Sequence, residues 1–181
     1  MTTFRRVITG HNASGQSIIA SDTTVPGTPV PGMPGVELTC LWGSDQTMRY
    51  PDDGGRPDFR TWFAPIGGFR FIEFIIAPDD TPADDSLSPE AMRAAIDDRF
   101  PGLMDTMDPD EPGMHRSETI DLLYVISGRV MLHLDDGSAT ELRAGDTAVQ
   151  SGTMHAWRNP FNEPCRILGV ILGAEMKSSA G

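Results

Sequence analysis

The second half of the chain constrains the fold most. Between residues 119 and 174, short runs rich in strand formers fall at 119–126, 129–134, 139–142, 147–150, 154–159 and 165–172. Turn clusters separate them: Ser127-Gly128, Asp135-Asp136-Gly137, Ala144-Gly145-Asp146, Ser151-Gly152 and Asn159-Pro160. Closely spaced strands joined by tight turns pair antiparallel, and the architectures open to them are a sandwich, a jelly roll or a small barrel. No fixed-period repeat runs through the sequence, which excludes propellers and solenoids.

The first half reads as extra strands and one helix. Residues 4–9 form a strand that stops at Gly10-His11-Asn12, and 17–20 pairs with it as a hairpin across Ser14-Gly15. The stretch VPGTPVPGMPG, 25–35, admits neither helix interior nor central strand and is an extended connector. Strands are expected at 37–42, from near Phe59, and at 68–76. A helix is expected from 89 to about 100: Ser88 can cap it, Pro89 fits the first turn, Glu90 suits the positive end, and Met92, Ile96 and Phe100 share a face. Pro101-Gly102 stops it, and the acidic stretch 105–111 is a solvated loop. The expected organisation is an arm at 1–60 packing on a barrel at 61–175, with a disordered tail at 176–181.

Composition narrows the partners. The chain has 181 residues, enough for one sizeable core. Its formal charge of -12 repels nucleic acid and anionic lipid surfaces. Cys40 and Cys165 lie far apart with no CxxC pair, which argues against a disulfide framework and a thiolate zinc site. No apolar run approaches the ~18 residues needed to span a bilayer, and MTTFRRVITG lacks an apolar h-region, so a cytoplasmic protein is expected.

Two segments carry a family resemblance. The stretch from Pro109 to Gly128, with His115, Ser117 and Asp121, is similar to the first cupin motif, G-x5-H-x-H-x3-E-x6-G. The stretch from Gly145 to Asn159, with Gly152 and His155, is similar to the second, G-x5-P-x-G-x2-H-x3-N. The resemblance implies an all-β, cupin-type double-stranded β-helix barrel with extra N-terminal strands. The departures are specific. Pro109 stands for the first glycine, Ser117 for the second histidine, Asp121 for the glutamate and Gln150 for the proline, and the interval from Gly145 to His155 is one residue short.

If the segment is extended, the alternation of 115, 117 and 121 puts these side chains on one face, and His155 arrives from another hairpin. Two imidazoles and a carboxylate can hold a divalent metal, with iron, zinc, manganese and nickel not distinguished by donor type. The expected metal set is therefore His115, Asp121 and His155; the alternative is a metal-free barrel in which they line a polar pocket. Ser117, Tyr124, Gln150, Trp157 and Arg70 are expected to line the pocket, Arg70 as a fork for a substrate carboxylate. His133 is expected to face away from the apolar positions of its strand, and His11 is isolated in an N-terminal turn. A Ser117-His155-Asp121 triad lacks a GxSxG elbow and an oxyanion hole.

The resemblance implies a role in small-molecule metabolism, as a metal-dependent decarboxylase or oxygenase acting on a small oxygenated organic acid or ring. The alternative is a non-catalytic, metal-free ligand-binding cupin. A homodimer is expected, because the N-terminal strands exceed the needs of a minimal barrel.

Overall fold

Alternation along one strand, Thr119–Ser127, sorts the molecule into inside and outside: Thr119, Asp121, Leu123 and Val125 are buried, while Ile120, Leu122 and Tyr124 between them are exposed. The structure, a computed structural model, describes residues 1–84 and 86–177. Its strands are β1 (Thr3–His11), β2 (Ser17–Pro26), β3 (Glu37–Ser44), β4 (Phe69–Ile76), β5 (Thr119–Ser127), β6 (Arg129–Leu134), β7 (Ala139–Arg143), β8 (Thr147–Ser151), β9 (His155–Arg158) and β10 (Cys165–Gly173). One helix, α1 (Pro89–Arg99), and a short 3-10 turn at Met104–Thr106 lie between β4 and β5.

The strands form a five-stranded antiparallel sheet, β3-β4-β10-β5-β8, and a three-stranded one, β7-β6-β9. Both sheets feed one core. Ile72 and Phe74 of β4, Leu123 and Val125 of β5, and Ile167 and Ile171 of β10 cluster with Val130 of β6, and Trp157 of β9 packs on them. This is the jelly-roll barrel expected from the sequence. On the outer face, Trp42, Phe71, Val170, Leu122 and Val149 stand in register as one apolar row across all five strands.

Local chemistry sets the ends of α1. Ser88 Oγ accepts from the Ala91 N–H at 3.2 Å, Pro89 opens the first turn, and the Phe100 N–H closes on the Ile96 carbonyl. Ile96 and Phe100 are buried, and the Phe100 ring meets Trp62 edge-on at 5.1 Å.

Two expectations are corrected. No strand begins near Phe59: Pro57 and Pro65 deny ladder donors, and Phe59 instead lies against the Arg70 guanidinium, 4.5 Å from its ring centroid. The barrel does not start at residue 61, because β3 is hydrogen-bonded to β4 within the large sheet. β1 and β2 pair as expected, with a bulge between Ile8 and Thr9, but form a sheet of their own. Of the tail placed at 176–181, residues 178–181 lie outside the described residues. Among the described residues no helix is long and apolar enough to cross a membrane.

Candidate functional site

His115 precedes β5 and His155 opens β9, and their backbones meet as an isolated antiparallel bridge. Each N–H donates to the other's carbonyl at 2.9 Å. Residues facing each other across such a pair project to the same side. The two imidazoles accordingly stand 4.2 Å apart, centroid to centroid.

The same local device orients both rings. His115 Nδ1 contacts the Gly113 carbonyl at 3.1 Å, and His155 Nδ1 contacts the Thr153 carbonyl at 2.9 Å. A carbonyl only accepts, so each Nδ1 carries the proton and each Nε2 keeps its lone pair. Gly113 makes this possible for His115: its φ is +80°, and an added Cβ would lie 2.7 Å from Arg158 Nη1. For His155 the support is Gln150, which lies opposite Asp121 in the β5–β8 register and donates its amide to the Thr153 carbonyl and hydroxyl.

Asp121 projects inward from β5, and its Oδ1 accepts from the Thr119 hydroxyl at 2.7 Å. Thr119 in turn is 2.7 Å from Ser117 Oγ. Since the Thr119 proton is committed to the carboxylate, Ser117 donates to Thr119, and the three side chains form one polarised chain. All three are buried.

His115, Asp121 and His155 line a cavity of about 260 Å³. Arg158 also lines it, its guanidinium donating to the Pro112 carbonyl, and the rest of the wall is apolar, with Leu38, Ile72, Phe74, Leu123 and Trp157, and Val30 and Met33 from the proline-rich arm.

The comparisons with known proteins agree with this architecture. The cupin-domain family profile matches residues 103–171. Phomopsin biosynthesis cluster protein C' of Diaporthe leptostromiformis is 31% identical over 160 residues, covering 88% of this chain and 72% of that protein. The chain belongs to the cupin family. Oryzines biosynthesis cluster protein J of Aspergillus oryzae is 46% identical over 66 residues, which span 36% of this cupin and only 37% of that relative. A solved structure from Thermotoga maritima, described as a predicted oxalate decarboxylase, superposes with a TM-score of 0.43 at 15% identity, covering 82% of this cupin and 92% of that chain.

Electrostatics in this cupin follow from burial. Desolvation lowers the pKa of His115, and it takes His155 down to about 4 with help from His115 as a neighbouring like charge. Burial raises Asp121 to about 6, a rise that the Thr119 hydrogen bond opposes. At neutral pH the site therefore offers two neutral imidazoles with free Nε2 lone pairs and a carboxylate that takes up a proton in mildly acidic solution. All three are acceptors, so they match a ligand group that donates.

The expected metal set is not assembled. Among the described residues no three His, Cys, Asp or Glu side chains come close enough to hold one ion. The physical reason lies in the departures from the family motif. Asp121 is a methylene shorter than glutamate and is tied to Thr119, and Ser117, at the second histidine position, is turned to Thr119 as well. The residues present do not fit a three-ligand centre.

Four pocket assignments are corrected, those of Tyr124, Arg70, Ser117 and Gln150. Tyr124 is 47% exposed on the outer face, because an odd step from Asp121 reverses the side. Arg70 is fully buried but lies outside the cavity lining, and its guanidinium is consumed by Asp45 at 2.5 Å and by the carbonyls of Ser44, Thr61 and Phe69. No fork remains for a substrate. Trp157 lines the cavity, 5.9 Å from the His155 ring. Ser117 and Gln150, also expected to line the pocket, lie outside its lining, Ser117 turned to Thr119 and Gln150 to Thr153. His133 is half-buried on β6, and His11 contacts the Asp52 carbonyl. Thr119 was not singled out from sequence, although the alternation 117, 119, 121 was there to be read.

Proposed function

We propose that this cupin acts in small-molecule metabolism on an apolar molecule carrying an oxygenated, hydrogen-bond-donating head group, and that its chemistry is proton transfer at Asp121 and the histidine pair. One observation carries the reading: an otherwise apolar cavity gathers three acceptors, His115, Asp121 and His155, while its one guanidinium, Arg158, donates to the Pro112 carbonyl. Burying an acceptor without a partner is costly, so a hydroxyl or enol is selected over an ether or hydrocarbon of the same shape. The biosynthesis-cluster names of two relatives support small-molecule metabolism as the setting.

Of the two reactions that the family motifs imply, decarboxylation suits these groups better than oxygenation. Loss of carbon dioxide leaves an electron pair that takes up a proton, and an apolar wall favours the uncharged product over a carboxylate. Asp121, titrating near 6, can deliver that proton and recover one from solvent. A carrier that binds the same molecule without turnover is the second reading. The missing third metal donor favours it.

Binding of 2-naphthol and 2-methoxynaphthalene, followed by calorimetry and by amide shift mapping, tests the acceptor cluster. The hydroxyl compound is expected to bind at least about tenfold tighter, the loss that accompanies an unpaired buried polar group. Shifts should centre on residues 115, 121 and 155. Equal affinities, or shifts elsewhere, overturn the reading.

A further inference from the structure

The face of the large sheet turned away from the inner cavity carries a second and larger hollow. β1 flanks β3, β4 and β10 without joining their sheet, and a groove of about 750 Å³ runs between them. Phe4 and Ile8 of β1 and Trp42, Phe69, Phe71 and Val170 of the sheet give it an apolar wall. The next residues along the strands, Ile72 and Ile171, line the inner cavity, so the sheet itself separates the two spaces.

Two arginines stand in this groove, and they differ. Arg5 gives Nε and Nη2 to the two carboxylate oxygens of Asp22, at 2.9 and 2.7 Å. Arg6 gives Nη1 to the Leu41 carbonyl at 2.9 Å and lies 5.5 Å from the Trp42 ring centroid. Its Nε is buried with no partner, and no carboxylate among the described residues pairs with it. Asp52 also borders the groove, but its Oδ1 is taken by the Gly54 N–H at 2.7 Å. A guanidinium stays charged at every accessible pH. The edge that Arg5 commits to Asp22 is thus left uncommitted in Arg6, beside an apolar trough.

We propose that this groove binds an amphipathic carboxylate, its head on the Arg6 guanidinium and its chain along Phe4, Phe69 and Phe71. The carboxylate supplies the planar two-oxygen acceptor that a guanidinium matches, and the apolar tail replaces water along the aromatic wall. The overall charge of -12 disfavours casual anion binding, so a bound carboxylate marks a specific cation.

Titration with sodium dodecanoate below its micellar concentration, read by calorimetry and by amide shift mapping on the unsubstituted protein, tests this directly. One equivalent is expected to bind, with shifts at residues 4–9, 42 and 69–71. Arg6→Met should weaken it at least about tenfold, as loss of a charge-assisted pair does, while 1-dodecanol should bind the two proteins alike. Shifts confined to residues 115–155, equal affinity of Arg6→Met, or no binding all overturn the proposal. So does light scattering that shows the groove closed by a second copy, with a dimer that Arg6→Met dissociates. Because the map is made on the parent protein, a variant that fails to fold does not blunt the test. Failure here leaves the reading of the inner cavity untouched, since that reading is mapped to other residues.

Discussion

His115 and His155 face each other across a hydrogen-bonded backbone bridge, with their imidazoles 4.2 Å apart and both Nδ1 atoms tied to the carbonyl two residues earlier. Burial lowers the pKa of both rings, and the neighbouring His115 lowers that of His155 further, to about 4. The bridge sets the spacing, the Gly113 and Thr153 carbonyls set the tautomers, and burial sets the ionisation.

Stability should carry the signature of this site. An unfolded aspartate ionises near its ordinary value of 3.8, and Asp121 does so at about 6. Between those limits the folded chain holds the extra proton, and stability falls as pH rises. For His155, unfolded near 6.5 and folded at about 4, the unfolded chain holds the extra proton, and stability falls as pH drops. The two slopes oppose each other from about pH 4 to 6. Asp121→Asn removes one of them. The variant is expected to match the parent near pH 4 and to exceed it at pH 8 by up to roughly 3 kcal/mol. Urea denaturation at both pH values checks this, and a parent more stable than the variant at pH 8 contradicts it.

The Thr119 hydroxyl holds the Asp121 carboxylate at 2.7 Å and favours its charged form. Thr119→Val keeps the shape and removes the donor. The Asp121 pKa should then rise above 6, read from its side-chain carbon shift, with a stability loss of about 1–3 kcal/mol at neutral pH. Ser117→Ala removes only the outer member of the chain and should move the pKa less.

How much of this was legible in the sequence depends on the range of the interaction. The α1 cap at Ser88, the turns of the second half and the shared face of Ser117 and Asp121 are local, and local pattern was enough for them. Tyr124 was also legible: counting an odd step from Asp121 places it outside. Arg70 was not. Its partner Asp45 lies across β3 and β4, and nothing near residue 70 announces a guanidinium already saturated by carbonyls. The opposition of His115 and His155 depends on a bridge between distant segments. The motifs announced both histidines and their convergence in one site, but not the backbone bridge that joins them.

Gly113 is the backbone hinge of this arrangement, with φ at +80° and Arg158 Nη1 where a Cβ would go. Gly113→Ala should destabilise the fold by about 1–2 kcal/mol through the left-handed backbone and the displaced arginine. The carbonyl that fixes His115 moves with it, so 2-naphthol affinity should fall as well. Denaturation midpoints and fluorescence titration report the two effects separately. An alanine variant as stable as the parent would show that the turn relaxes at no cost.

The missing metal donors give the sharpest reversal. Two imidazoles remain where the family motif supplies three imidazoles and a glutamate, and the intervening positions are occupied by Ser117 and Asp121, each engaged with Thr119. Restoring the motif with Ser117→His and Asp121→Glu adds one imidazole and one methylene of reach, toward a four-donor set that suits zinc, manganese or iron. The doubly substituted protein should bind cobalt(II), followed by its visible absorption, at least about tenfold more tightly than the parent, a gain of ~1.4 kcal/mol. It should also lose preference for 2-naphthol over its methyl ether, because the lone pairs that selected a hydroxyl proton are then committed to the ion. If the parent binds cobalt(II) as tightly as the restored protein, Asp121 reaches the histidine pair after all, and the acid–base reading of the cavity gives way to a metal-centred one.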